Sequence, residues 1–286
     1  MTATATTIQV HDIPLACTVV GDGTPLIVLH GAIGLGSTYM RPLDAWAGDF
    51  QLVHYDQRGS GATPIGDQAR VSFTGAMADL DELRAALGID RVNLVGHSAG
   101  ALLAAMYAGT YPEPTASAVL LNAGPPLIPA LFQSFQREMA ARRTPEDDAA
   151  RLAIEESSRY RAGDPQAMER HQLNTFTPFF RDRATRDSMS LGFTKITAAN
   201  VQAAPQRMIG SLGQLNPMAV LAQIQCPTLI VHGDLDPIPA DWSHTLVDTI
   251  PNADYALLEG AAHFPHIENQ DQLAAAALPW LTKNAT

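Results

Sequence analysis

The chain has 286 residues, 46% of them apolar and 16% charged, enough apolar material for a sizeable core and incompatible with disordered or collagen-like architecture. Eighteen Lys and Arg stand against 29 Asp and Glu, a formal net charge of −11. That balance repels phosphate backbones and anionic lipid headgroups, so no nucleic acid and no membrane are expected as partners; a small-molecule substrate is, and homo-oligomerisation is left open.

The two cysteines, Cys17 and Cys226, stand in strand-like apolar runs and are expected to be reduced and buried. The stretch from Met1 to Thr7 lacks the basic and apolar regions of a secretory signal, and no stretch reaches the apolar length of a membrane helix, so a cytoplasmic location is expected.

In chain order, Ile8 to Val10 and Leu15 to Val20 read as an opening hairpin. Leu26 to His30, Gln51 to Tyr55, Val92 to Val95, Ala118 to Leu121, Thr228 to Val231 and Tyr255 to Leu258 read as sheet strands. Between them, Phe73 to Leu87 spaces apolar residues three and four apart, as an amphipathic helix does, and Gly88 is its expected C-cap. Alternation of strand and helix predicts a mostly parallel α/β sheet. It breaks off between Leu121 and Cys226. There Thr144-Pro145-Glu146, Gly163-Asp164-Pro165 and Asn216-Pro217 each predict a helix start, with a capping side chain ahead of a proline in the first turn. The expected organisation is a core of residues 1–124 and 216–286, interrupted by a helical cap over 125–215.

The segment Gly96-His97-Ser98-Ala99-Gly100 follows the strand at Val92 and precedes an apolar helical run. A G-x-S-x-G in that setting predicts a sharp strand-to-helix turn that lifts Ser98 above the strand ends as a nucleophile, where a plain helix N-cap would be the alternative. The N–H of Ala99 then opens the helix, where unpaired donors suit a developing oxyanion. A second donor is expected from Ala32 in the loop Gly31-Ala32-Ile33-Gly34, with Ile33 and His97 flanking the substrate. Chain order supplies an acid and a base at two later strand ends. Asp236 in Gly233-Asp234-Leu235-Asp236 is the expected orienting carboxylate and His263 the expected base, with Asp234 and His266 as alternatives. A metal reading of His263, His266, Asp234 and Asp236 would need a second shell and a consistent fold context and loses to the triad, and Gly34-x-Gly36 lacks the remaining dinucleotide spacing, so no metal and no cofactor are expected. Phe132, Phe135, Met139, Phe176, Phe179 and Met208 either line an apolar pocket or form the core of the helical segment.

With His30-Gly31, the Ser98 pentapeptide, Gly233 to Asp236 and Gly260-Ala261-Ala262-His263 in this order and spacing, the chain resembles the α/β-hydrolase superfamily. The resemblance implies an eight-stranded, mostly parallel sheet flanked by helices with an inserted helical cap, and a triad of Ser98, Asp236 and His263. Tyr55-Asp56-Gln57-Arg58-Gly59-Ser60-Gly61 further resembles the D-Q-R-G-x-G segment of proline iminopeptidases. In those peptidases cap carboxylates bind the substrate's terminal ammonium, which would point to Glu155, Glu156 or Glu169 here; a solvated helix face is the alternative. The expected activity is a serine hydrolase cleaving a small ester, amide or related acyl compound. Its alternatives are a proline iminopeptidase-like aminopeptidase and a non-hydrolytic use of the fold as a ligand receptor or in C–C hydrolase, lyase or perhydrolase chemistry.

Overall fold

The computed structural model describes residues 2–31 and 35–285. Eight strands, β1 (Ala3–Val10), β2 (Ile13–Val20), β3 (Thr24–Leu29), β4 (Phe50–Tyr55), β5 (Val92–His97), β6 (Thr115–Leu121), β7 (Thr228–Gly233) and β8 (Ala253–Leu258), form one sheet in the order β1-β2-β4-β3-β5-β6-β7-β8. The hairpin β1–β2 and the β2–β4 pair are antiparallel; every other neighbour pair is parallel. All eight expected strands are present. The first is longer than its apolar pattern suggests, because Ala3 to Thr7 pair with Ala16 to Val20 through the backbone alone.

Central strands are buried on both faces, and their side chains divide by the period of two that a pleated strand imposes. Ile27, Leu94, Leu120 and Ile230 enter one core, packed against helices α1 (Phe73–Ala86) and α2 (Ala99–Thr110). Val28, Val95, Val119 and Val231 enter the other, beneath a 3₁₀ segment over Ser37–Gly48. Ser72 caps α1 through its hydroxyl, and Gly88 follows the helix at φ 69°, as expected of a glycine after a C-cap.

Between β6 and β7 the described chain is helical: α3 (Pro129–Ala141), α4 (Pro145–Glu156), α5 (Ser158–Arg161), α6 (Pro165–Thr175), α7 (Arg183–Ser188), α8 (Lys195–Asn200), α9 (Ala203–Ser211) and α10 (Pro217–Leu221). The three expected starts are used. Thr144 and Asp147 form a reciprocal capping box, while Asp164 and Asn216 cap α6 and α10. Helix α11 (Ala240–Thr249) connects β7 to β8, and α12 (Pro265–Glu268) and α13 (Gln270–Asn284) close the chain's helical layer. No helix among the described residues is long and apolar enough to cross a membrane. Cys17 and Cys226 are free and buried, and burial pushes the Cys17 thiol up to about 12.

Parallel pairing from β3 to β8 puts the carboxyl ends of five adjacent strands along one edge, the usual place for a ligand in such a sheet. Across the sheet these ends carry Gly31, Ser98, Asn122, Asp236 and His263.

Candidate active site

Ser98 joins β5 to α2 at φ 56° and ψ −121°, a conformation a residue with a side chain holds only where its surroundings enforce it. Here the Ser98 N–H donates to Leu121 O at 2.9 Å, and the Ser98 carbonyl accepts from Ala101, Leu102 and Gly124 N–H groups at 3.0 to 3.2 Å. A side chain at Gly96 would strike the carbonyl of Gly100, and one at Gly100 would strike the carbonyls of Leu29 and His30. Strand and helix approach so closely that only glycine fits at either position. Ala99 is the first residue of α2, so its N–H has no intrahelical acceptor, and it borders the same cavity as Ser98. Ala32 and Ile33 lie outside the described residues.

Asp236 and His263 are brought together from the loops after β7 and β8: His263 Nδ1 lies 2.8 Å from Asp236 Oδ2, and both side chains are buried. Asp236 Oδ1 accepts from the Ile238 N–H at 2.9 Å. Oδ2 also accepts from Asn122 Nδ2, which donates in addition to Ala262 O at 2.9 Å. An ionised carboxylate can only accept, so the shared proton lies on Nδ1, and in the neutral imidazole that tautomer leaves the lone pair on Nε2.

The alternatives have other work. Asp234 Oδ1 accepts from the Gly260 N–H at 2.7 Å and pins a turn. His266 packs between the rings of His97 and Tyr39, at centroid distances of 4.9 and 5.6 Å, with neither nitrogen hydrogen-bonded among the described residues. Burial pushes its pKa down to about 3. Among the described residues no group of three His, Cys, Asp or Glu side chains is arranged to hold a metal ion.

His97 borders the cavity, but both its nitrogens bind protein. Nδ1 lies 3.0 Å from the Tyr39 hydroxyl, whose oxygen accepts from the Gly31 N–H at 2.5 Å, and Nε2 lies 2.6 Å from the carbonyl of His263. One set of protons satisfies all three bonds: the tyrosine O–H donates to Nδ1, and Nε2–H donates to His263 O. Burial first, then the neighbouring His263 and His266, push His97 well below the usual histidine range, in keeping with a neutral ring.

The D-Q-R-G segment braces this edge. Asp56 accepts from Ser37 N–H at 2.7 Å, Ser37 Oγ at 2.8 Å and Ala62 N–H at 2.8 Å. Gln57 donates to His30 through its N–H at 3.0 Å and its side chain at 2.6 Å. Arg58 forms a bidentate pair with Asp79, both bonds 2.8 Å. None of these three side chains borders the cavity.

That cavity, about 360 Å³, has Ser98, Ala99 and His263 in its wall. The helical segment supplies Phe132 and Phe135 from α3, Gln172 from α6, Phe176 and Phe179 just after it, and Val201, Pro205 and Ile209 from the α8–α9 region. Phe132 and Ile209 remain 37% and 48% exposed, at the edge of the lining. Met139 is absent from the described lining, and Met208 is buried in a core. No Asp, Glu, Lys or Arg side chain belongs to the described lining. Glu155 is paired with Arg151 at 2.6 Å and His171 at 2.8 Å. Glu169 accepts from the N–H groups of Leu191, Gly192 and Phe193 at 2.6 to 3.2 Å. Neither they nor Glu156 reaches the cavity wall.

Asn122, Tyr39 and Gln172 escape sequence reasoning. Asn122 follows a strand directly, like Ser98, and that position is the one signal that could have found it; Tyr39 and Gln172 carry none.

The family model described as alpha/beta hydrolase fold matches residues 24–270. Over 274 residues the chain is 30% identical to the proline iminopeptidase of Clostridium botulinum, with 92% of each chain covered. It is 26% identical over 279 residues to that of Lactobacillus delbrueckii subsp. lactis, with 93% of each covered. The crystal structure of the Mycobacterium smegmatis proline iminopeptidase covers 99% of both chains with a TM-score of 0.74 at 21% identity, a likeness of fold. With this match across the chain and the strand-end architecture described above, the chain belongs to the α/β-hydrolase family, resembles the proline iminopeptidases within it, and is a hydrolase.

Proposed function

We propose that the chain is a serine hydrolase that cleaves a small uncharged ester, amide or related acyl compound through Ser98, His263 and Asp236, beneath a cap formed by residues 125–215. The observation that carries this reading is the buried His263–Asp236 pair, whose histidine borders one cavity together with a serine held in a strained elbow. His263 Nε2 takes the proton from Ser98 Oγ as the oxygen attacks the carbonyl carbon, and Asp236 stabilises the imidazolium that forms. The Ala99 N–H receives the oxyanion; loss of one such donor typically costs on the order of 10²–10³ in rate. His263 then returns the proton to the leaving group, and water, activated by the same nitrogen, hydrolyses the acyl-enzyme.

The names of the curated relatives favour a second reading, removal of an N-terminal proline. Against it stands the described cavity lining, which contains no carboxylate to pair with a substrate ammonium.

Turnover of p-nitrophenyl esters and of a prolyl arylamide, together with fluorophosphonate labelling, tests both. Ser98→Ala should abolish turnover and labelling, and esters should exceed the prolyl compound in kcat/KM. Labelling that persists at another residue sinks the assignment of Ser98; a preference for the prolyl arylamide replaces the first reading with the second.

A further inference from the structure

The cavity's wall also bears on which acyl compounds it takes, an inference that rests on the serine-hydrolase reading. At about 360 Å³ it holds roughly a dozen water-sized groups, so the bound part of the substrate is compact. Without a charged side chain in the described lining, a charged substrate group would lose its hydration and gain no partner.

A continuous run of rings leads away from the base. The Phe179 centroid lies 4.4 Å from that of His263, Phe176 meets Phe179 edge-to-face at 5.6 Å, and Phe135 lies 5.8 Å from Phe179. Such tilted and edge-on rings offer an inserted aromatic ring the offset contacts it prefers.

Polar recognition is left to one group. Tyr39 and His97 saturate each other within their network, and Ser98 and His263 carry the chemistry. Gln172, on α6 and one turn before the C-cap residue Phe176, borders the cavity, and its side-chain amide makes no hydrogen bond among the described residues. An amide both donates and accepts, so it can match a neutral hydroxyl, carbonyl or amide.

We propose that the substrate is a compact aryl-substituted acyl compound bearing a neutral hydrogen-bonding group, and that the Gln172 amide is the residue that reads that group.

The test uses S-ethyl thioesters, whose small leaving group brings no ring of its own into the comparison, with ethanethiol release as the readout. The acids are phenylacetic, 3- and 4-hydroxyphenylacetic, hexanoic and 4-carboxyphenylacetic. Expected kcat/KM is highest for one hydroxyphenyl isomer, then phenylacetyl, then hexanoyl, and lowest for the carboxylate. In Gln172→Leu the ratio of the favoured hydroxyphenyl compound to phenylacetyl should fall about tenfold, the worth of one neutral hydrogen bond; Gln172→Asn, with its shorter amide, should fall between. Fluorophosphonate labelling of Ser98 in each variant shows that the site is folded. Labelling with no preference for either hydroxyphenyl isomer, with an unchanged ratio in Gln172→Leu, or with hexanoyl or the carboxylate ahead of phenylacetyl, overturns the inference and leaves the hydrolase reading standing. Loss of labelling in the wild type overturns that reading and this inference with it.

Discussion

The peptide N–H of His263 donates to the carbonyl of Phe179 at 3.0 Å, and the two rings face each other at 4.4 Å. A residue of the helical segment between β6 and β7 therefore touches the proposed base twice, once through its backbone and once through its ring. Phe179→Ala keeps the carbonyl and removes the ring. Stability should fall by about 2 kcal/mol, less than for a fully buried phenylalanine because this one is half-buried. Ester kcat/KM should fall about tenfold, with Phe179→Leu intermediate. Urea denaturation and steady-state rates measure both; a stability loss with no change in rate would make the ring contact purely structural.

Asn122 shares the carboxylate of Asp236 with His263 and also ties down Ala262, the residue before His263. It does so from φ 46°, a backbone conformation that asparagine tolerates better than most residues. In Asn122→Ala both acceptors lose a donor inside a buried site, and Asp236 and the His263 loop become free to shift. The expected result is a kcat 10- to 100-fold lower, since displacements of the order of 1 Å are costly in a preorganised site. Unchanged kcat with normal folding would exclude a positioning role.

Tyr39 links the end of β3 to the His263 loop through His97. Tyr39→Phe retains the ring and strands two buried groups, the Gly31 N–H and His97 Nδ1. Each such loss costs about 1–3 kcal/mol, so a clear fall in melting temperature is expected, with a fall in kcat as the Gly31 end of the loop loosens. A melting temperature equal to wild type would mean that water replaces the hydroxyl.

These relationships mark how far the residues could be read in order. Apolar runs revealed the strands, most clearly β5, β6 and β7, which are buried on both faces and predominantly apolar. Ser98, Asp236 and His263 were legible because each follows a strand at the edge where parallel sheets present ligands. Tyr39 and Phe179 reach the same place from a 3₁₀ segment and from the helical insertion, where spacing says nothing of direction. The carboxylates of Glu155 and Glu169, which the resemblance to proline iminopeptidases pointed to as ammonium ligands, are consumed by Arg151, His171 and backbone N–H groups within the insertion. Such pairing depends on tertiary contacts that no local pattern encodes.

His266 makes stability depend on acid. An exposed histidine in the unfolded chain has a pKa of about 6.5. In the fold, burial pushes His266 down to about 3. Between these values the unfolded state binds a proton that the folded state refuses. The stabilising contribution is therefore complete above about pH 6.5 and drains away as pH falls towards about 3, by about 1.4 kcal/mol per pH unit where the difference is full. His97, His54 and His232 are also buried and pushed down by burial, so they steepen the same slope. His266→Leu removes one titrating site and two ring nitrogens that lack partners among the described residues. At pH 7.5 the variant should lie within about 1 kcal/mol of wild type, since no hydrogen bond is lost. At pH 5 it should have lost about 2 kcal/mol less than wild type relative to pH 7.5, as one full proton over roughly 1.5 units requires. Urea denaturation at the two pH values gives the comparison. An equal loss in both proteins would mean that His266 takes up its proton within the fold, and the acid sensitivity would then belong to the other buried histidines.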